Sequence, residues 1–181
     1  MLFRSLQLLN PSDAARLSGL GIIANVQPPN LPLDLDMIDE CVGARSAWAY
    51  AFRTILDSGV LTLFSSDAPV CNPAPLAGIH AAVVRATPDG RPEGGWHPEQ
   101  RVTVAEAVRA YTLAPALAHG LGAETGSIAP GKRADLIVLN SNIYETAPED
   151  IIRARVDLTF FSGEKVFDRE EQEGQLVKIV E

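Results

Sequence analysis

Two stretches of the chain are apolar on both faces. Gly21-Ile22-Ile23-Ala24-Asn25-Val26-Gln27 stops at Pro28-Pro29, and the run from Val60 to Asp67 closes at Ala68-Pro69. A short run without polar alternation predicts a strand covered on both sides, as in a parallel sheet. Between them Trp48, Phe52 and Ile55 recur at helical spacing, with Gly59 placed as a carboxyl-terminal stop, so one long helix is expected over 36–58. Strand, helix, strand is a βαβ unit, and its two strands should run parallel.

Further along, Leu76, Ile79 and Val83 share one helical face over 75–85, and a polar, glycine-rich loop at 88–95 follows, expected to be exposed. Thr103 with Glu106 forms a capping box for a helix carrying Val104, Val108 and Tyr111, which Pro115 should kink or end. A short helix is expected to start at Pro11-Ser12-Asp13. Beyond Gly120 the pattern changes: glycines at 122, 126 and 131, a strand over 134–139, and a hairpin of 156–161 with 165–167 turning at Ser162-Gly163-Glu164. We therefore expect an α/β part over 1–120 and a small β region over 121–181, ending in a solvated tail from Glu170 to Gly174. No internal repeat is present.

With 46% hydrophobic residues among 181, the chain can bury a core. Its formal charge of −8, without any block of Lys or Arg, offers no footprint for a polyanion, so no nucleic-acid partner is expected. A small molecule or another protein is the expected partner. Cys41 and Cys71 stand far apart without a CxxC pair, which fits a reducing cytoplasm. No signal-like run and no stretch near the ~20 apolar residues needed to span a bilayer is found, so a soluble, cytoplasmic chain is expected.

The chemistry-bearing motifs are few. Gly126-Ser127-Ile128-Ala129-Pro130-Gly131-Lys132-Arg133 matches a phosphate loop until its last position, where Arg133 cannot supply the hydroxyl for magnesium; Pro130 also removes a backbone N–H, and a strand follows. A turn is the better reading. Ser65 and Ser66 lack the glycine frame of a nucleophile elbow. His80, His97 and His119 share no metal-binding spacing; His80 could border a pocket but reads better as a helix-surface residue, and the other two as exposed or capping residues. Asp67 differs, because it follows an apolar run at the carboxyl end of a parallel strand, the edge where α/β folds bind ligands. A carboxylate there can bind a metal or take a proton; it can equally cap the next turn.

The words Gly21-Ile22-Ile23-Ala24-Asn25-Val26-Gln27-Pro28-Pro29, Tyr50-Ala51-Phe52-Arg53-Thr54-Ile55-Leu56-Asp57-Ser58-Gly59 and Phe64-Ser65-Ser66-Asp67-Ala68-Pro69-Val70 resemble the last barrel strands of the amidohydrolase superfamily, in particular its amidohydrolase-3 or YtcJ-like branch. The segments 75–83, 98–103, 109–112 and 126–139 resemble the same family in the same order. The resemblance implies an α/β fold: the carboxyl-terminal part of a TIM-type (β/α)8 metal-dependent hydrolase barrel plus part of a small β-sandwich. It implies hydrolysis of non-peptide C–N bonds in amide-type small molecules, with a divalent metal, usually zinc. Asp67 matches the last-strand aspartate that ligates metal and accepts a proton from the attacking water. Tyr50, Arg53 and His80 fall in segments near the family's pocket and are its candidate substrate-binding residues.

The departures are equally specific. The family's opening HxH pair and its intermediate-strand ligands have no counterpart here, and Ser5 stands where a further histidine precedes a stretch such as Leu6-Gln7-Leu8-Leu9-Asn10-Pro11. A closed barrel takes eight strands and roughly 200–250 residues, whereas two clear strands and a remnant of a third are readable here. The expectation is a truncated barrel that binds metal weakly or not at all and is inactive alone. Its uncovered surfaces would favour homo-oligomers or pairing with a complementing amino-terminal portion.

Overall fold

A computed structural model describes residues 2–173. The two doubly apolar runs form strands β2 (Ile23–Val26) and β3 (Leu61–Phe64), paired in parallel. The remnant is a third strand, β1 (Leu2–Arg4), which pairs in parallel with β2 and gives the order β1-β2-β3. Three residues are too few to carry a periodicity, which is why β1 was only partly legible.

The single helix expected over 36–58 is a correction. Helix α2 (Leu31–Val42) begins earlier, with Pro32 in its first turn, and stops at Gly43, whose φ of 55° favours glycine. A 3₁₀ segment, Gly43–Trp48, follows, and α3 (Phe52–Asp57) starts afresh. Between them the backbone is diverted to the stretch after β1: Leu9 N–H donates to the Trp48 carbonyl at 3.0 Å and Tyr50 N–H to the Gln7 carbonyl at 2.7 Å. Long-range pairing thus overrides helical propensity. Gly59, with φ 77°, ends this arm as expected.

Strand alternation sends Ala24, Val26 and Phe64 towards the helices, where they join a core with Phe52, Ile55, Ile79 and Ala107. Phe64 lies between Phe52 and Tyr111, at centroid distances of 5.5 and 5.6 Å. Helix α4 (Pro75–Val84) supplies Ile79, and α5 (Val104–Tyr111) carries the predicted capping box on Thr103 and Glu106. Pro115 does not kink α5. The break falls at Thr112, and Pro115 sits in the first turn of a separate helix, α6 (Leu113–Ala118), where its missing N–H costs nothing. Helix α1 (Pro11–Ala14) starts where expected, its Asn10 side chain accepting from Ser12 N–H.

Arg85 ends α4 in the left-handed region (φ 59°) and is fully buried. Its Nε donates to the Trp96 carbonyl and its Nη1 to the Tyr50 carbonyl, each at 2.7 Å, and the guanidinium lies 5.3 Å from the ring centroids of both Phe52 and Trp96. Burial without a carboxylate partner pulls its pKa down to about 9. The glycine-rich loop closed by the Arg85–Trp96 contact is exposed over 88–94, as expected.

Strands β4 (Leu136–Leu139), β5 (Val156–Phe161) and β6 (Glu164–Asp168) form an antiparallel sheet. The expected β5–β6 hairpin turns at Ser162-Gly163, both at positive φ, the geometry of a tight hairpin turn. Glu170 to Glu173 are exposed, and Gly174 lies outside the described residues. A groove of about 1160 Å³ between this sheet and α5–α6 is lined by Leu121, Ile128, Ile137, Phe161 and Val166, among others. Among the described residues no helix is long and apolar enough to cross a membrane.

Gly78 in α4 has no room for a side chain: an added Cβ would lie 1.8 Å from the Tyr111 hydroxyl and 2.8 Å from its Cζ. Helix propensity alone would make Gly78→Ala stabilising by about 1 kcal/mol, but overpacking costs about 1–3 kcal/mol. We expect a net loss of up to about 2 kcal/mol in urea unfolding. The Tyr111 hydroxyl is buried without a partner, so Tyr111→Phe should gain about 1 kcal/mol. The double variant should lose less than the two single effects predict when added.

Candidate functional site

Parallel pairing puts the carboxyl ends of all three strands on one edge, and the segments leaving that edge carry the candidate site. Beyond β1 lies Gln7, beyond β2 lie Asn30 and Asp34, and beyond β3 lie Asp67 and Cys71. The diverted segment between α2 and α3 adds Tyr50, whose buried side chain follows from its backbone bond to Gln7. Tyr50 donates its hydroxyl hydrogen to Asp34 Oδ2 and accepts a hydrogen bond from Gln7 Nε2 at 3.3 Å. Burial and the Asp34 carboxylate push the phenol's pKa well above its ordinary value, so it stays a donor.

Asp67 stands three residues past β3, half-buried, with φ 58°. The turn that follows it is made by other groups: Val70 N–H donates to the Asp67 backbone carbonyl at 2.8 Å, and the Ser66 hydroxyl accepts from Ala68 N–H at 3.3 Å. The Asp67 carboxylate itself accepts no hydrogen bond and meets no cation among the described residues. Cys71 reports on the same space. Its thiol donates to Asn30 Oδ1 at 2.9 Å, and burial, then Asp67 and Asp34, raise its pKa.

On the sheet face away from the helices, a polar network joins the carboxyl ends of β2 and β3. Ser65 Oγ donates to Asn25 Oδ1 at 2.8 Å, and Gln27 Nε2 donates to Ser65 Oγ at 3.0 Å and to Asn25 Oδ1 at 3.3 Å. Both Gln27 N–H donors are thereby used, which fixes the amide orientation and leaves its buried Oε1 without a partner. Sequence reading took this run as apolar throughout and missed the network; Asn25, Gln27 and Ser65 at alternate positions were the available signal.

The remaining candidates lie elsewhere. Arg53 forms a bidentate pair with Glu106, at 3.0 and 2.7 Å, and also pairs with Asp57 at 3.0 Å. His80, expected on a helix surface, is buried on α4 where that helix packs against the 3₁₀ turn Pro148–Arg153; burial lowers its pKa. His97 is half-buried at φ 44°, its Nε2 3.3 Å from Ser46 Oγ and its Nδ1 3.3 Å from Glu99. His119 is an exposed helix end. The phosphate-loop look-alike is a turn: Lys132 Nζ is spent on the Gly122 and Thr125 carbonyls and Ser127 Oγ.

As a metal centre the set is incomplete. Asp67 offers a free carboxylate at the right edge, but among the described residues no group of three His, Cys, Asp or Glu converges to hold an ion. Ser5, at the end of β1, carries a hydroxyl where an imidazole would be a far stronger ligand.

Comparison with known proteins follows the same lines. The profile of the amidohydrolase family (Amidohydro_3) matches residues 3–167. The chain is 33% identical over 163 residues to Protein LONG AFTER FAR-RED 3 of Arabidopsis thaliana, covering 89% of this chain and 27% of that protein. It is 37% identical over 120 residues to the N-substituted formamide deformylase of Arthrobacter pascens (66% and 22%), and 26% identical over 164 residues to the putative amidohydrolase YtcJ of Bacillus subtilis (90% and 31%). The chain thus spans less than a third of the length of these curated relatives. A metal-dependent hydrolase from Pyrococcus horikoshii superposes with a TM-score of 0.71 at 25% identity, over 81% of this chain and 30% of that one. A zinc-bound adenosine deaminase from Xanthomonas campestris shares the fold, with a TM-score of 0.65 at 17% identity over 98% and 40%.

The Arg53–Glu106 pair, which ties α3 to α5, carries its own test. Hydrogen bonding to Arg53 holds the Glu106 pKa at about 2, below its ordinary 4.5. A depressed carboxylate stabilises the fold fully above its unfolded pKa and loses that contribution as pH falls towards about 2. Both groups are about a third exposed, so solvent screening limits the expected loss in Glu106→Gln to about 1 kcal/mol near pH 7. Glutamine keeps the capping geometry. Urea midpoints near pH 7 and near pH 3 should show the gap shrinking at the lower pH; an equal gap would refute the linkage.

Proposed function

Since the chain belongs to the amidohydrolase family, we propose that it is the carboxyl-terminal part of a TIM-type barrel, over 1–120, with a contribution to a small β-sandwich domain over 121–181, in a hydrolase of non-peptide C–N bonds. Asp67 is its catalytic residue, a metal ligand and the acceptor of a proton from the attacking water. The observation that carries this reading is the unpaired Asp67 carboxylate at the carboxyl edge of a parallel strand, in a chain that matches the family over 3–167. Amide or cyclic amide substrates fit the name of the formamide deformylase relative. A divalent metal, zinc in the Xanthomonas neighbour, would supply the activated water when bound. This chain's own contribution is one oxygen ligand, a proton acceptor and the walls of the mouth. The other donors would come from outside the described residues. Two free thiols support a cytoplasmic location.

A second reading is favoured by the incomplete ligand set and Ser5: a noncatalytic chain that pairs with itself or with a partner bearing the rest of the barrel. One experiment separates the two. Zinc content by mass spectrometry and hydrolysis of N-benzylformamide are measured on the chain alone and after addition of the amino-terminal part of a YtcJ-like relative. The catalytic reading expects bound zinc and turnover in the mixture, with Asp67→Asn lowering the rate by about 10²-fold or more. Absence of zinc and turnover in a mixture that forms a stable complex would favour the noncatalytic reading.

A further inference from the structure

The mouth contains two carboxylates in different situations. Asp67 is unpaired, whereas Asp34 is held by a chain of directed hydrogen bonds. The Arg85 guanidinium grips the Tyr50 carbonyl at 2.7 Å and Gln7 accepts from the Tyr50 N–H at 2.7 Å, so the tyrosine backbone is fixed from both sides. Gln7 Nε2 then occupies a lone pair of the Tyr50 hydroxyl, which turns the hydroxyl hydrogen towards Asp34 Oδ2. Asp34 Oδ1 has no partner among the described residues. Cys71, four residues past Asp67, donates to Asn30, which caps the helix carrying Asp34, so both carboxylates stand at the same strand edge; among the described residues neither pairs with a cation. Ionised carboxylates only accept hydrogen bonds. With Asp67 engaged in the chemistry and the unpartnered Gln27 Oε1 fully buried, the half-buried Asp34 presents through Oδ1 an acceptor that a substrate can reach.

We propose that Asp34, oriented by Tyr50, is a specificity-determining residue that accepts the N–H of the amide substrate, so that the site takes primary and secondary amides and ureas and rejects tertiary amides. This rests on the amidohydrolase reading of the same mouth. A group built to accept a donor discriminates against an analogue lacking it, because the carboxylate is then left half-buried and unpaired. Hydrogen bonds to charged groups correspond to about 10- to 100-fold in binding.

Cys71 provides a readout that needs neither metal nor turnover. In the full chain carrying Cys41→Ser, Cys71 is the sole thiol, and its alkylation by iodoacetamide is followed at fixed alkaline pH by mass spectrometry. N-benzylformamide should protect Cys71 at concentrations about 10-fold or more below those of N-benzyl-N-methylformamide. Asp34→Asn should abolish that preference, Asp67→Asn should keep it, and Tyr50→Phe, which retains the carboxylate but loses its orienting donor, should weaken it. Equal protection by both amides, protection by neither, or a preference surviving in a folded Asp34→Asn chain would overturn the proposal. A preference without zinc or turnover in the reconstituted mixture would remove the catalytic reading alone, whereas turnover without a preference would remove this inference alone.

Discussion

Parallel pairing of three strands is the constraint from which the remainder follows. Antiparallel strands would have scattered their ends over two edges. Here β1, β2 and β3 all release their chains on one side, so Gln7, Asp34 and Asp67, separated by up to sixty residues of sequence, leave the same edge. The helices that return each chain cover one sheet face with Phe52, Ile55 and Ile79, and the opposite face keeps its polar network of Asn25, Gln27 and Ser65. The face that packs on the helices is thus mainly apolar, and the other face becomes polar at its carboxyl end, where Asn25, Gln27 and Ser65 follow Ile23, Leu61 and Leu63.

Arg85 links that sheet to the site. A fully buried guanidinium is costly, and no carboxylate bonds to it, the Glu99 charge acting only through space. Two backbone carbonyls and two aromatic rings do so in part. What the arrangement gains is placement. Tyr50 adopts a positive φ that a tyrosine rarely takes, and its carbonyl is held there by Arg85, from a helix distant in sequence. Strain of this kind persists only where surrounding contacts over-determine it, and here the result is a phenol aimed at Asp34.

Much of the scaffold was legible in the sequence. The two apolar runs, the Thr103–Glu106 capping box, the Ser162-Gly163 turn and the edge position of Asp67 each rest on local chemistry that a short window of residues contains. What escaped rests on contacts remote in sequence. The break at Gly43 is invisible in a helical pattern because the competing interaction is the pairing of Tyr50 with Gln7. Arg85 and Asp34 were given no role from the sequence, because nothing beside either residue reveals that one clamps Tyr50 and the other receives its hydroxyl. His80 reversed the usual expectation for the same reason, since the turn that buries it lies some seventy residues downstream.

The incomplete ligand set and the proposed recognition by Asp34 are compatible once binding and chemistry are separated. Metal affinity depends on several donors converging, and a single carboxylate contributes little by itself. Positioning a substrate asks less: one acceptor held at a fixed angle and a wall that excludes alternatives. In the role proposed for them, Asp34 from the first turn of α2, Tyr50 from the segment before α3 and Gln7 from the stretch after β1 would meet that requirement. Asp67, by contrast, is presented but not partnered. On the proposed reading, these residues therefore supply recognition more fully than chemistry, since Asp67 alone cannot hold a metal among the described residues.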